Sequence, residues 1–361
     1  MKLNPQSRLH KGILVADLLS GSWRQSPDKD LDLSESELDE IAPLLYGSGG
    51  AALGWWRLRG SHLETTSTAE VLHQAYRIQS LQAAIHEQKI QKVFNLLRKV
   101  NVEPLLAKGW AAAKLYPDAA LRAYGDIDLC VRPEQFKAAR EVVRSPEAGD
   151  CWVDLHSRFA EIGDRNLDQL FERSRLTKLN GTQIRIPSLE DHLALLSIHL
   201  LKHGAWRPLW LCDVAAAVES APPDFDWNIC LGGNRRRANW IASAIGLAHR
   251  LLNANIDNLL SARQVKELPG WLVENVLRQW ADPFSIKQPP MSHPLPITHQ
   301  LRQPGGLLSA LRQRWPNPII ATVSVHGDFN GLPRLPYQIG NCALRISHLL
   351  FRIPTTLESE H

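Results

Sequence analysis

Apolar residues in the first hundred positions recur at helical spacing. Between Thr68 and Val100 they fall mostly three or four residues apart, which places them on one face of a long helix. These residues are Val71, Leu72, Ala75, Ile78, Leu81, Ile85, Val93, Leu96 and Leu97. In the acidic stretch SESELDEIAPLLYG, Ser34 or Ser36 can cap a further helix. The pattern predicts a helical N-terminal region over residues 1–100.

The apolar period changes to two after residue 100. The short run VEPLLAKGW breaks at Gly109, while DIDLCV and CWVDLH alternate in the manner of strands. Between these two runs RPEQFKAAREVV predicts a helix opened by Pro133, and GTQIRIPS further on predicts a β-hairpin arm. Residues 101–188 are therefore expected to form a compact α+β unit within a mainly helical chain.

Helical spacing returns in the stretch SLEDHLALLSIHLLKHG, where Ser188 is the expected cap and Asp191 the third helical residue. A second helical domain is predicted over residues 189–282. Residues 283–361 are rich in proline and weakly periodic, which predicts a linker followed by a loosely packed C-terminal segment. Its apolar stretch PIIATVSV is compatible with one strand or with the edge of a helix.

The composition argues against several classes of protein. The five cysteines are odd in number and lack metal-site spacing, which argues against a disulfide framework or a structural zinc and favours the cytoplasm. No apolar run has the length of a spanning helix, so neither secretion nor membrane insertion is expected. The net charge of +4 comes from interspersed basic residues, so nucleic acid is not indicated as a partner.

Two carboxylates interrupt the apolar run AYGDIDLCV. Strand alternation places Asp126 and Asp128 on one face, and the same alternation places Asp154 and His156 on one face of CWVDLH. Like charges on a half-buried strand repel, so a divalent cation, Mg²⁺ or Mn²⁺, is expected between them. Three carboxylates around two metal ions suit in-line displacement at phosphorus, which predicts phosphoryl or nucleotidyl transfer.

Other polar residues have structural interpretations of similar weight. His156 can contact a phosphate or the acceptor, or can orient Asp154. On the later helix, His199 and His203 have the spacing of a metal pair but lack a third ligand, so helix packing is favoured for them and for His192. Asp213 is expected to pair with His203 or Lys202, or to face the nucleotide.

Longer stretches carry a resemblance to a known family. LLAKGWAAAKLYPDAALRAYGDIDLCVRPEQFKAAREVV, VDLH and LEDHLALLSIHLLKHGAWRPLWLCDVAAAV resemble uncharacterised bacterial nucleotidyltransferases of the DNA polymerase beta superfamily. The resemblance runs from about residue 100 to residue 230. It implies a small mixed β-sheet flanked by helices, with Mg²⁺ as cofactor. It also implies that Asp126 and Asp128 ligate both metals, while Asp154 completes the site and helps to activate the acceptor hydroxyl.

The resemblance also assigns phosphate-binding roles. Lys108 and Gly109 match the family's Lys-Gly turn, where the lysine charge and the close approach of a glycine backbone serve the triphosphate. Arg122 matches the family's arginine, which suits a forked contact to phosphate oxygens, and a surface ion pair is the alternative. The nucleotide-binding residues expected are thus Lys108, Gly109, Arg122 and His156.

The function that follows is transfer of a nucleoside monophosphate from a nucleoside triphosphate, with release of pyrophosphate. The acceptor is an unidentified small molecule, sugar or peptide that offers a hydroxyl or a phosphate. A phosphotransferase of the same fold is one alternative, because the metal site alone does not choose which phosphorus is attacked. The short segment 129–153 leaves a second alternative, a catalytically inactive module that binds a nucleotide or a partner.

Overall fold

The N-terminal region is helical, as its apolar spacing predicts. The computed structural model describes residues 5–256, 268–282 and 315–350. Of the two candidate caps, Ser34 begins the second helix, and it forms a capping box with Glu37. The first four helices are α1 (Pro5–Leu19), α2 (Glu35–Ser48), α3 (Ala51–Leu58) and α4 (Ser67–Lys99).

Helix α4 buries only part of its predicted apolar face. Leu72, Ala75, Val93 and Leu97 lie in the interior, whereas a second row of apolar side chains is exposed to solvent. The exposed row consists of Val71, Ile78, Leu81 and Ile85. Adjacent helical positions point about 100° apart, so a neighbour that covers Leu72 leaves Val71 uncovered. The predicted apolar face is therefore wider than the part of the helix that the protein buries.

A mixed three-stranded sheet follows α4, as the fold class predicts. Its strands are β1 (Leu105–Ala107), β2 (Ile127–Cys130) and β3 (Val153–His156), in the order β1-β2-β3. Strand β1 runs antiparallel to β2, and β2 runs parallel to β3. Helix α5 (Gly109–Ala113) follows β1, and α6 (Phe136–Val143) forms the crossover from β2 to β3.

One face of this sheet is covered by helices. Leu106, Ile127 and Leu129 pack in a core with Val93 and Phe94 from the second half of α4. Alternation then directs the polar side chains of β2 and β3 to the opposite face. On that opposite face Leu105, Ala107 and Cys130 are buried in the other core, so the face is open to a ligand only on the side of β3.

A β-hairpin follows the sheet, as predicted. It joins α7 (Leu167–Arg173) to the later helices through β4 (Arg175–Leu179) and β5 (Thr182–Ile186). Asn180 and Gly181 connect the two strands with positive φ angles of 44° and 89°, which suits a two-residue turn.

The second helical region packs on the first. Ser188 caps α8 by accepting a hydrogen bond from the Asp191 N–H, as expected. Leu18 and Leu45 of the N-terminal helices share one core with Leu195 and Leu247 of this region. Its helices are α8 (Leu189–Lys202), α9 (Pro208–Glu219), α10 (Trp227–Leu231), α11 (Arg235–Leu252) and α12 (Gly270–Trp280). The four predicted domain boundaries stay predictions.

The C-terminal segment contains two further helices, α13 (Pro318–Ser324) and α14 (Leu335–Leu350). The stretch PIIATVSV is therefore helical, with Asn317 as its cap. Ile319 and Phe329 are fully buried, and α13 packs on α8, which differs from the loose packing expected. Eight residues were too few to separate a helical from a strand period. The predicted linker over 283–314 lies outside the described residues.

A membrane-spanning segment is not found among the described helices, since each is too short or too polar to cross a bilayer.

Candidate active site

Two carboxylates and an imidazole converge on the face of the sheet opposite Ile127 and Leu129. Asp128 on β2 lies in register with Asp154 on β3, and His156 follows on the same face. Oxygen and nitrogen atoms from these three side chains all lie within 4.8 Å of one another. The parallel pairing of two short strands thus brings together residues that are far apart in the chain.

The His156 ring points between the two carboxylates. Its Nε2 atom lies 3.1 Å from Asp154 Oδ2 and 3.5 Å from Asp128 Oδ1. This nitrogen is buried, and neither contact has the geometry of a hydrogen bond. Burial by itself would raise the pKa of Asp128, but His156 and Lys108 lower it below its ordinary value.

Asp126 is not part of this group. It is exposed and precedes the first residue of β2, where the sheet face opens to solvent. Its carbonyl oxygen lies 3.2 Å from Nε2 of His86. The metal-ligand role of Asp126 therefore stays a prediction, while Asp128, Asp154 and His156 form the group that the structure brings together.

Lys108 places a buried positive charge beside Asp128. Its Nζ donates to Asp128 Oδ1 at 2.9 Å and lies 3.9 Å from Glu161 Oε1. Burial acts to lower the pKa of Lys108, but the charges of Asp128 and Glu161 outweigh it and raise the pKa. The turn between β1 and α5 holds this side chain, with φ angles of 54° at Lys108 and 28° at Gly109. Glycine adopts such angles readily, which fits its position in the turn.

Glu161 is a site residue that the sequence did not indicate. It lies on a 3-10 turn, Ala160–Ile162, and its Oε1 is 3.5 Å from Nδ1 of His199 on α8. Burial would raise the pKa of Glu161, but His199, Lys108 and Lys202 lower it well below the usual range. The stretch around Glu161 has no alternation that would assign it to a face, so only the folded chain brings it to Lys108.

The histidines of α8 are packed, as expected. The rings of His199 and His203 lie 4.5 Å apart, and both contact the ring of Trp210. Among the described residues they belong to no set of three clustered metal-ligating side chains. His199 nevertheless reaches the candidate site through Glu161.

Arg122 forms a buried ion pair. Its Nη2 lies 2.8 Å from Asp213 Oδ2 and its Nε 3.1 Å from Asp213 Oδ1, while the Tyr116 hydroxyl donates to the same carboxylate at 2.8 Å. The alternative prediction, an ion pair, is therefore observed, but in the interior and not at the surface. Asp213 pairs with Arg122 and Tyr116 and not with His203 or Lys202, while its alternative role of facing the nucleotide stays a prediction. The guanidinium N–H groups that the resemblance assigns to a phosphate donate to Asp213 in this structure. The contact between Arg122 and a phosphate stays a prediction.

A small mixed sheet with clustered acidic side chains on one face and helices behind it is the type of core that nucleotidyltransferases contain. The chain belongs to a family described as uncharacterised nucleotidyltransferases, whose family model matches residues 34–253. The match covers more than half of the chain and extends from the start of α2 to the end of α11. It confirms the resemblance and widens its range. Neither the curated proteins nor the solved structures include a match to this chain.

Proposed function

We propose that the protein is a metal-dependent nucleotidyltransferase that moves a nucleoside monophosphate from a nucleoside triphosphate to a hydroxyl or phosphate acceptor. The observation that supports this most directly is the Asp128, Asp154 and His156 cluster beside the buried Lys108. The family relationship supports nucleotidyl transfer in general. The metal, the nucleotide and the acceptor are the parts that the proposal adds.

The donor set fits a dication. Two carboxylates and one imidazole are suitable ligands for Mg²⁺ or Mn²⁺, and the buried Nε2 of His156 has no hydrogen-bond partner of its own. Asp128, Asp154 and His156 would hold the ion, and Asp126 is a further candidate at the open end of the face. When bound, such an ion supplies charge stabilisation to the phosphoryl oxygens and lowers the pKa of the attacking hydroxyl.

Side chains around the group supply the remaining functions. Lys108 carries a fixed charge that can neutralise phosphate oxygens, and Gly109 allows the backbone of the turn to approach them. Glu161 is a second carboxylate near Lys108, with its Oε1 atom 3.9 Å from Nζ. Asp154 is largely exposed and can accept the proton of the acceptor hydroxyl.

The test uses triphosphates labelled at either the α or the γ phosphorus, incubated with the purified protein, Mg²⁺ and a cell extract as the source of acceptor. We expect a macromolecule or metabolite to acquire the α-label and not the γ-label. An Asp128→Asn variant should lose at least 100-fold in rate, as expected when a metal-binding carboxylate is removed. Asp168→Asn, a change of the same kind on α7, is the matched control.

Two results contradict the proposal. Transfer of the γ-label identifies a phosphotransferase. Nucleotide binding without transfer of either label identifies a module that has no turnover.

A further inference from the structure

Trp152 is an exposed aromatic side chain on a rigid support. It is 77% exposed, more than any other large apolar side chain of the described residues, whereas most of the 12 tryptophans are buried or half-buried. Its carbonyl oxygen accepts a hydrogen bond from the Ile127 N–H at 2.9 Å, so its backbone is fixed to the sheet. A tryptophan side chain usually buries a large apolar area, so the exposed ring of Trp152 is a surface on which a ligand can pack.

The position of Trp152 connects it to the candidate active site. It immediately precedes β3, and strand alternation places it on the same face as Asp154 and His156. Two strand residues span about 7 Å, so the Cα atom of Trp152 lies about 7 Å from that of Asp154. Continuing the register of β2 and β3 places it opposite Asp126.

Burial and charge change along this face. Asp128, Lys108 and Glu161 are each less than one-tenth exposed and form a closed, charged end. On the neighbouring strand, in register with Asp128, the side chain of Asp154 is 60% exposed, and the exposed Trp152 precedes it by two residues. A ligand that suits both ends carries phosphates at one end and a flat ring at the other.

We infer that Trp152 is the stacking platform for the base of the nucleoside triphosphate, an assignment that relies on the proposed function for the class of ligand. The phosphates lie at the closed end beside Lys108, and the ribose bridges from Asp154 to the ring. Every base has a π-face, so a single tryptophan supports all four bases without hydrogen-bond discrimination. Purines bind more tightly than pyrimidines because their larger rings bury more area.

The experiment measures the binding of ATP, GTP, CTP and UTP with Mg²⁺ by calorimetry, together with inorganic tripolyphosphate as a ligand that has no base. We expect Trp152→Ala to weaken binding of each nucleotide about tenfold, within the range for one base stacked on an aromatic ring, and to leave tripolyphosphate unaffected. Trp152→Phe should recover most of the affinity, whereas Trp152→Leu should not, because leucine keeps apolar area without a ring face. Trp315→Ala removes the other exposed tryptophan and should change nothing.

Several outcomes overturn the inference. It fails if Trp152→Ala binds nucleotides as the wild type does, or if nucleotide and tripolyphosphate affinities fall together. It also fails if Trp152→Leu equals Trp152→Phe, or if only the KM for the acceptor rises. Failure of the proposed function looks different: nucleotide binding depends on Trp152, but no α-label is transferred. If the wild type binds no nucleotide, both proposals fall.

Discussion

The Arg122 guanidinium donates hydrogen bonds from Nη2 and Nε to the Asp213 carboxylate, at 2.8 and 3.1 Å, in the interior of the protein. The two residues are 91 positions apart, and they join the loop before β2 to helix α9. Asp213 has no exposed surface, and Arg122 is 5% exposed. The pair therefore ties the loop that leads into Asp126 and Asp128 to the helical core.

Removing one charge of this pair should destabilise the fold. Asp213→Asn keeps the shape and an acceptor for the Tyr116 hydroxyl, but it leaves the buried guanidinium of Arg122 without a counter-charge. We expect the free energy of unfolding to fall by about 3 kcal/mol in urea titrations, the order found when a buried pair loses one partner. The double variant Arg122→Met, Asp213→Leu should lose less than Asp213→Asn alone. Asp224→Asn, at an exposed site, should stay within about 0.5 kcal/mol of the wild type.

Metal binding should depend unequally on the three predicted aspartates. Mn²⁺ affinity, measured by electron paramagnetic resonance, should fall at least about tenfold in Asp128→Asn and in Asp154→Asn. His156→Ala should have a similar effect, because its Nε2 belongs to the same cluster. Asp126→Asn should cost less, since Asp126 lies outside that cluster. Equal losses for Asp126 and Asp128 would show that Asp126 closes onto the ion, as the sequence alone predicts.

Glu161 should act through Lys108. Glu161→Gln removes one of the two carboxylates that hold the ammonium group, so we expect the KM for the nucleoside triphosphate to rise about tenfold. Lys108→Met removes the charge itself and should lower kcat/KM by at least about 100-fold. Glu172→Gln, on the exposed side of α7, is the control and should match the wild type. A fall in kcat at constant KM for Glu161→Gln would instead place Glu161 in the chemical step.

Stability should decrease as the solution becomes acidic, because His192 is buried in its neutral form. Its pKa is lowered to about 4, and burial is the largest cause. The charge of Asp213 acts to raise the pKa, while those of Arg122, Arg175 and Lys108 act with burial to lower it. In the unfolded chain a histidine has a pKa near 6.5, so between about pH 6.5 and pH 4 the unfolded state binds more protons than the folded state. The free energy of unfolding therefore falls as the pH falls through this range.

The stability lost through His192 should reach about 2 kcal/mol at pH 5. Urea titrations of the wild type and of His192→Gln at pH 7.5 and pH 5 would measure it. The variant should show a smaller difference between the two pH values. Burial also lowers the pKa of His203 to about 4. Part of the loss of stability at low pH should therefore remain in both proteins. An identical difference in the two proteins would mean that His192 is protonated in the folded state.

Local periodicity accounts for the parts of the site that were predicted. Alternation with a period of two fixes which face Asp128, Asp154 and His156 occupy, and pairing of β2 with β3 then brings them into register. The hairpin could be predicted because Asn180 and Gly181 tolerate the backbone angles of its turn.

Other parts depend on contacts between distant segments, for which the sequence holds no local signal. Glu161 meets Lys108 and His199 only because a 3-10 turn, a β–α turn and helix α8 converge. Arg122 and Asp213 likewise meet only through the packing of α9 against the loop before β2. On α4, spacing identifies the apolar positions but cannot show which of them a neighbour covers, so the exposure of Ile78 and Leu81 could not be predicted.

Helix α4 has a mechanical consequence for the whole molecule. Its 33 residues form a rod about 50 Å long, and its first half packs in one core through Ala69 and Leu72 while its second half packs in the other through Ile90 and Phe94. A half-helix deprived of its core has little stability in water. The two cores should therefore melt together in a single cooperative transition, and the three-stranded sheet cannot loosen without weakening the helices packed on the first half of α4.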